Sequence, residues 1–468
     1  MKATSSYWYR SAFYTLFEQF SVVLFGFGSV MILLRVLSKE EFGVWALFLT
    51  VAAFIEVARN GLIQNAFIKF LTSLQPDDPD YKSQYATIST ASLAVNVLLT
   101  MISIALLFLF AGALSYLWRT PQLQYMLYFY AVSTTALIPF SQFNFLQQAN
   151  FDFRGVFWAN FARQGTFFAL VVAAYFFSKN SLFSITLFHA LAAIVGAFIS
   201  YLFARKYIQL NRQIDFQWVK KLLHYGKFVF GTNMGAMLHK SIDKFMLGSI
   251  LSTGAVALYD LATRINNLME IPVSATASVV FPQSSRNNGS LGVGAVKELY
   301  EKSVAAVLTV LLPAIAFVVL FPDWVIWVIA GSKYADAVPL LRITALYGFF
   351  LPFARQFGTI FDSIGKPRLN FLFVIFGAGL NLIFNYFFIH RFGTMGAAYG
   401  TLSVFSITFV LNQIILYREL NISLLHTFRY IGRFYLQIPG KLETLYLKCL
   451  SMLQKKIHST PDPKTTEP

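Results

Sequence analysis

Charged side chains interrupt the long apolar runs of this 468-residue sequence, and they recur at helical spacing. Residues 239–265, HKSIDKFMLGSILSTGAVALYDLATRI, join two such runs and contain five charged groups. A charged group at the middle of a bilayer costs about 2.5–3.5 kcal/mol on insertion scales. Such groups are therefore expected to face a wet cavity, to pair with one another or to lie near a membrane interface.

The polar residues of five predicted helices fall on single stripes, because residues three or four positions apart share one helix face. The stripes are Tyr14, Glu18 and Ser21; Glu56, Arg59 and Asn60; Asn233, Met237, Lys240 and Lys244; Asp260, Arg264 and Asn267; and Arg355, Thr359 and Asp362. Phe, Leu and Val cover much of the remaining surface of these helices. Such a pattern inside a membrane implies a polar interior that several helices share.

Arginine suits a phosphate group, because its planar guanidinium donates two parallel hydrogen bonds. A wet cavity with several such groups favours an anionic, phosphorylated cargo. The residues predicted to bind this cargo are Arg59, Asn60, Lys240, Lys244, Arg264, Asn267 and Arg355. The acids predicted to serve ion coupling or charge pairing are Glu18, Glu56, Asp243 and Asp260.

Structural interpretations of the same residues stay open. For Asp243 with Lys244 the alternative is an interfacial ion pair, and for Glu56 with Arg59 it is a buried structural pair. Lys240 is long enough to snorkel to the interface. Two isolated residues are interpreted as helix-packing residues: Arg163 and His189.

The composition predicts one polytopic membrane protein. The chain is 57% hydrophobic and 12% charged, whereas soluble domains carry about 25% charged residues. The single cysteine, Cys449, excludes an internal disulfide, and the six histidines show no metal-ligand spacing. The N-terminal residues lack the pattern of a cleaved signal peptide, so the first apolar run is predicted to be retained.

Twelve membrane spans are predicted, since a span needs about 20 mostly apolar residues. They cover 13–36, 43–70, 85–111, 123–149, 156–178, 182–204, 223–250, 255–281, 303–330, 337–363, 369–389 and 395–417. The longest polar connections are predicted at 72–84, 205–221 and 282–302.

The net charge of +16 lies mainly in short connections, which argues against nucleic-acid binding. With the N-terminus inside, this map places 24 Lys and Arg residues on the inner side and 6 on the outer side. Positive charge favours the cytoplasmic side and is attracted to anionic lipid. The split predicts that both termini are cytoplasmic.

A weak internal repeat relates the two halves of the predicted spans. LSKEEFGVWAL (37–47) and LSTGAVALYDL (251–261) share residue types at an offset of 214. Repeats are common in transporters, with the substrate site between the halves. The predicted domains are an N-terminal lobe (1–208), a cytoplasmic linker (209–222), a C-terminal lobe (223–420) and a basic tail (421–468) with an amphipathic helix at 441–457.

Two absences in the sequence argue against an enzyme. It contains no Gly-x-x-x-x-Gly-Lys-Ser/Thr run, so it has no P-loop for ATP hydrolysis. The predicted connections, none longer than 21 residues, leave no room for a soluble catalytic domain. No cofactor is predicted beyond an unidentified coupling cation.

Several motifs, in order along residues 10–420, resemble the polysaccharide-transporter branch of the multidrug/oligosaccharidyl-lipid/polysaccharide (MOP) exporter superfamily. They are EEFGVWALFLTVAAFIEVARNGLIQNAFIKF (40–70), SIDKFMLGSILSTGAVALYDLATRI (241–265), AGSKYADAVPLLRITAL (330–346), GKPRLNF (365–371) and FGTMGAAYGTL (392–402). The resemblance implies an all-α membrane fold with two six-helix lobes in a V. It also implies a Wzx-type flippase, which moves a polyprenyl-diphosphate-linked oligosaccharide to the outer leaflet. Many members carry an acidic residue before the glycine of span 2, where this chain has Arg59 and Asn60.

The expected function is therefore flipping of a lipid-linked oligosaccharide for surface polysaccharide export, in a bacterial inner membrane. Its expected partners are that lipid, the membrane lipids and polysaccharide biosynthesis enzymes. A MATE-like drug/ion antiporter, a membrane-embedded glycan-processing enzyme and a non-transporting scaffold are the alternatives.

Overall fold

The computed structural model describes residues 2–75, 77–177, 181–290 and 293–437. These residues form α-helices joined by short connections and three 3₁₀ turns, Thr134–Ala136, Arg205–Tyr207 and Ser332–Ala337. The helices of the first half are α1 (Lys2–Val36), α2 (Lys39–Thr72), α3 (Tyr81–Leu117), α4 (Pro121–Ser133), α5 (Leu137–Ala149), α6 (Phe153–Phe176) and α7 (Leu182–Ala204). The remaining helices are α8 (Phe216–Ile250), α9 (Thr253–Asn267), α10 (Glu270–Ser290), α11 (Val293–Leu320), α12 (Pro322–Ala330), α13 (Val338–Ala345), α14 (Tyr347–Ser363), α15 (Pro367–Phe392), α16 (Thr394–Leu420) and α17 (424–437).

Seven helices in the described part of the chain are long and apolar enough to cross a membrane, and the bent pair α13–α14 adds an eighth. These spans include α2, α3, α11 and α16. The predicted class, an all-α multi-span membrane protein, is confirmed. The other predicted spans also coincide with helices, but four of the twelve are broken, and prolines account for three of the breaks.

The predicted span 255–281 was wrong as one continuous helix, because it divides into α9 and α10. Pro272 has no N–H to donate to the carbonyl of Leu268, and its ring crowds that turn. Span 303–330 divides where Pro322 starts α12, since a proline disfavours helical geometry at the preceding residue, Phe321. In span 123–149 the 3₁₀ turn Thr134–Ala136 precedes Pro139. Span 337–363 bends by 41° between α13 and α14.

The predicted polar connection 282–302 was also wrong, because α10 continues to Ser290 and α11 begins at Val293. The polar residues of this segment therefore extend two helices rather than forming a long loop. The predicted amphipathic helix at 441–457 lies outside the described residues.

The described helices belong to two compact units. The first comprises Met1–Arg264, Phe321–Ile343 and Phe373–Val404, and the second comprises Ile265–Leu320, Thr344–Leu372 and Phe405–Pro468. The division into a lobe of residues 1–208, a linker of 209–222 and a lobe of 223–420 remains a prediction.

Close packing of α2 against α8 and α9 organises the first unit. A Cβ atom on Gly226 would lie 1.8 Å from the Leu62 carbonyl oxygen, and one on Gly43 would lie 1.8 Å from the Thr253 carbonyl oxygen. Only glycine permits backbones to approach so closely. The start of α2 is fixed by a capping box in which Ser38 and Glu41 satisfy each other's backbone N–H groups. These contacts fix the polar stripes of α2, α8 and α9 within one unit.

Candidate functional site

A cavity of about 210 Å³ lies inside the first unit. Helices α1, α2, α6 and α7 line it, together with one residue of α9. Its polar lining residues are Ser29, Arg163, Gln164, His189 and Arg264. Its apolar lining includes Leu33, Trp45, Leu49 and Phe167. The cavity therefore brings two arginines from distant parts of the sequence to one chamber.

The first cavity arginine, Arg163 of α6, is paired with Glu56 of α2. Arg163 Nη2 donates to Glu56 Oε1 at 2.8 Å, and Nη1 donates to Oε2 at 3.4 Å. The guanidinium also lies 5.0 Å from the centre of the Phe140 ring. The interpretation of Arg163 as an isolated packing residue was therefore wrong. Its depth in a span was the missed signal, since a buried base inside a membrane needs an acidic partner.

Arg59 lies one helical turn from Glu56, buried among α2, α3 and α5 and 3% exposed. Its Nη1 donates to Thr100 Oγ1 at 3.2 Å, and its Nη2 donates to the Leu137 carbonyl at 3.2 Å. Its Nε has no partner among the described residues. Arg59 is not a lining residue of the cavity. Arg59 and Arg163 are nevertheless two bases that lie near the single acid Glu56.

The second cavity arginine, Arg264 of α9, shares an acid with a lysine of α8. Arg264 Nε and Lys244 Nζ each bond a different oxygen of Asp260. The Asp260 side chain is fully buried, and the Arg264 side chain keeps 26% of its surface exposed. One carboxylate neutralises only one of two cations. Asp243, the residue before Lys244, adds a second acid that interacts with this lysine.

Aromatic rings support the cavity wall around His189. The His189 ring lies 6.0–6.3 Å, between centroids, from the rings of Trp45, Phe48, Tyr130 and Phe167. Trp45 also stacks on Phe167 at 5.9 Å. Packed rings of this kind hold their geometry. This part of the wall is therefore a packed aromatic cluster, and the arginines are the charged part of the lining.

A second polar cluster surrounds the buried Asp243 of α8. Its carboxylate accepts hydrogen bonds from the Tyr259 hydroxyl, from Asn385 Nδ2 at 2.5 Å and from Thr401 Oγ1 at 3.0 Å. Asn381 donates to Thr401 Oγ1 at 3.2 Å, while Asn385 Oδ1 is buried without a partner among the described residues. Carboxylate, amide and hydroxyl oxygens are hard ligands that suit small cations. Among the described residues no group of three His, Cys, Asp or Glu side chains is arranged to hold a metal ion.

The other predicted residues lie outside the cavity lining. In the first unit, Glu18 accepts a hydrogen bond from Asn160 Nδ2 at 2.8 Å, Lys240 is exposed on α8, and Asn60 is half-buried. Asn267 and Arg355 belong to the second unit, where both are exposed. The structure therefore groups Glu56 with Arg163, and Asp260 with Lys244 and Arg264.

The described helices define an all-α, multi-span membrane protein with a polar cavity in its first unit. Over 84% of the chain, the structure is similar to an inward-facing MATE family multidrug resistance transporter of the MOP superfamily (TM-score 0.73, 17% identity, 94% of that chain). Over 97% of the chain, it is similar to the lipid II flippase MurJ in an inward closed conformation (TM-score 0.73, 13% identity, 94% of that chain).

Residues 32–339 match the model of a family described as polysaccharide biosynthesis proteins, and the chain belongs to that family. It is also 24% identical over 198 residues to the probable low-salt glycan biosynthesis flippase Agl15 of Haloferax volcanii, covering 42% of each chain. The chain spans about half, or less, of the length of the curated relatives that it matches. The family prediction is confirmed.

Proposed function

We propose that this protein is a flippase for a polyprenyl-diphosphate-linked oligosaccharide and acts by alternating access in surface polysaccharide export. The observation that carries the proposal is one cavity with two arginines, each held by an acid that has a second base nearby. Arginine side chains in a partly dry chamber attract phosphate strongly. The polysaccharide biosynthesis family and the similarity to Agl15, a probable glycan biosynthesis flippase, support a glycan cargo.

In this proposal the diphosphate binds Arg264 first. Arg264 bonds Asp260 through Nε, so its two Nη groups offer a parallel pair of donors to a phosphate without displacing Asp260. Lys244 and Arg163 add positive charge to the same region. The other predicted cargo contacts remain part of the proposal: Arg59, Asn60, Lys240, Asn267 and Arg355.

The driving ion is proposed to bind at Asp243. A buried carboxylate with amide and hydroxyl neighbours suits Na⁺ or a proton, and the unpartnered Asn385 Oδ1 offers a further ligand. Asp243→Asn is expected to remove the dependence of flipping on Na⁺ and proton gradients. Asp362→Asn is the matched control, because Asp362 bonds Asn370 in the second unit. If flipping by Asp243→Asn still responds to both gradients, this role is excluded.

The membrane is proposed to be the bacterial inner membrane, with both termini cytoplasmic. The proposed partners are the lipid-linked oligosaccharide, the membrane lipids and polysaccharide biosynthesis enzymes. The protein is proposed to move its cargo without changing it, as a transporter rather than an enzyme. These proposals rest on the predicted charge asymmetry and on the family.

Reconstitution tests the function directly. The assay uses liposomes that contain the protein and a fluorescent polyprenyl-diphosphate disaccharide, with a quenching reagent that reaches only the outer leaflet. Flipping should bring label from the inner leaflet to the reagent, so its fluorescence should be lost. Arg264→Ala should slow this loss at least tenfold. Arg391→Ala, an exposed arginine at the end of α15, should leave the rate unchanged. Mass spectrometry should recover the lipid intact. A wild-type rate for Arg264→Ala removes Arg264 from the mechanism, and a shortened glycan favours the enzyme alternative.

A further inference from the structure

A short helix, α17, follows α16 and is hydrogen-bonded to α11 near both of its ends. Asn421 adopts a left-handed backbone conformation (φ 52°) that stops α16. The Ser423 N–H then donates to Glu301 Oε1 at 3.1 Å, and the Tyr435 hydroxyl donates to the Thr309 carbonyl at 2.9 Å. The two anchors on α11 are eight residues apart, or about 12 Å of helix. α17 is thus held at both ends.

The anchored helix has one face packed and another exposed and apolar. Thr427 and Ile431 are buried. Leu425 and Leu436 are 64% and 83% exposed, and Phe428 is also exposed. A helix with this division lies in a membrane interface when it also carries basic residues.

One arginine of α17 and one lysine of α11 lie over the same aromatic ring. Arg429 and Arg433 are exposed, and the sequence of residues 424–437 contains no acid. Arg433 Cζ lies 5.8 Å from the centre of the Tyr430 ring, and Lys302 Nζ lies 5.7 Å from it. The nearby Glu301 is already bonded by Ser423 and lies 3.6 Å from His426. Two exposed arginines therefore border an exposed apolar face, together with Lys302, which is also paired with the exposed Glu298.

We propose that α17 and Lys302 form a binding surface for the headgroups of anionic phospholipids. The apolar face enters the acyl region while Arg429, Arg433 and Lys302 contact the phosphates, which the arginine forks bind bidentately. Each juxtamembrane basic residue raises the affinity for anionic lipid about fivefold. The surface lies entirely within the second unit and does not depend on the flippase proposal.

Lipid preference of the full chain tests this surface. The protein is placed in phosphatidylcholine bilayers with spin-labelled phosphatidylglycerol, and the motionally restricted fraction gives its preference over spin-labelled phosphatidylcholine. Arg429→Gln/Arg433→Gln is expected to lower that preference by about tenfold or more. High salt should lower the wild-type preference, because salt screens exposed charges.

The matched control is Arg205→Gln/Arg212→Gln, which removes two exposed arginines from the segment before α8. It should change the preference by less than about twofold. Equal losses in the two variants would mean a diffuse effect of net charge and would overturn the site. Loss of the folded state is monitored by thermal unfolding, and Tyr430→Leu, which removes only the ring, should weaken the preference by a smaller factor. No phosphatidylglycerol preference in the wild-type protein would also overturn the proposal.

Discussion

At the residue scale, the buried charges share one arrangement, an acid that has two bases close to it. Glu56 bonds Arg163 and lies a turn from Arg59, while Asp260 bonds Lys244 and Arg264. Removing one partner of a buried pair leaves an uncompensated charge, which is costly in a dry interior. The acids therefore hold the cavity arginines in place, and the second base beside each acid adds positive charge to the same region.

Glu56→Gln should lower the free energy of unfolding by about 2 kcal/mol, because it leaves the part-buried Arg163 guanidinium without its carboxylate. Thermal unfolding in detergent measures the change. Glu298→Gln breaks an exposed pair with Lys302 and should cost less than about 1 kcal/mol. The double variant Glu56→Gln/Arg163→Gln should be more stable than Glu56→Gln alone. Equal stability of the single and double variants would contradict a buried pair.

Residue-level prediction worked where local spacing decides and failed where tertiary contacts decide. The three-and-four spacing alone joins Asp260 to Arg264. It also offered Glu56 and Arg59 as a pair, but Glu56 bonds Arg163, which is 107 positions away. Helical spacing carries no information about which helices become neighbours. The sequence therefore could not predict that Arg163 lines the cavity, nor which side chains surround Asp243.

At the element scale, the corner between α1 and α2 is bonded to the segment before α13. Arg35 Nη2 donates to the Val328 carbonyl at 2.7 Å, and Lys39 Nζ lies 2.5 Å from Asp336 Oδ2. Lys333 Nζ donates to the Leu37 carbonyl. The repeat and the charge map place these two elements in different halves and on the predicted outer side. In the proposed alternating-access cycle, we expect these bonds to break when that side opens.

Lys39→Glu should favour opening by about 1.4- to fivefold, since an exposed pair contributes about 0.2–1 kcal/mol. The readout is maleimide labelling of Ser29→Cys, a cavity position, in a Cys449→Ser background. The charge swap Lys39→Glu/Asp336→Lys should restore slow labelling. Unchanged labelling in Lys39→Glu would show that the pair does not hold the corner.

The positions of the helices could be predicted better than the points where the helices break. Apolar length located the helices, because a span must satisfy every backbone group internally. Pro272 and Pro322 are visible in the sequence, but a prediction from apolar length takes no account of them. A proline in a membrane helix can bend, break or be tolerated, and neighbouring helices decide which. α10 and α11 extend through the predicted loop at 282–302, and this extension likewise depends on packing that hydropathy does not report.

At the scale of the whole molecule, the unequal distribution of positive charge predicts the orientation of the chain. Arg119, after α3, is exposed on the predicted outer side, and Arg212, before α8, is exposed on the predicted inner side. Lys and Arg retained inside during insertion set this arrangement. The same map places both termini in the cytoplasm.

In a Cys449→Ser background, Arg119→Cys should react with a membrane-impermeant maleimide in intact cells, and Arg212→Cys should react only after permeabilisation. Gel-shift counting of modified protein measures both, and the background protein without an introduced cysteine is the control. The opposite pattern would invert the predicted orientation. Labelling of both positions from one side would contradict an odd number of crossings between them.

Asp260 touches two cations but can cancel only one. Each cation bonds its own oxygen of the carboxylate, so replacing either base alone would leave this buried acid with a bonded cation. The acid is thus protected twice against losing its partner.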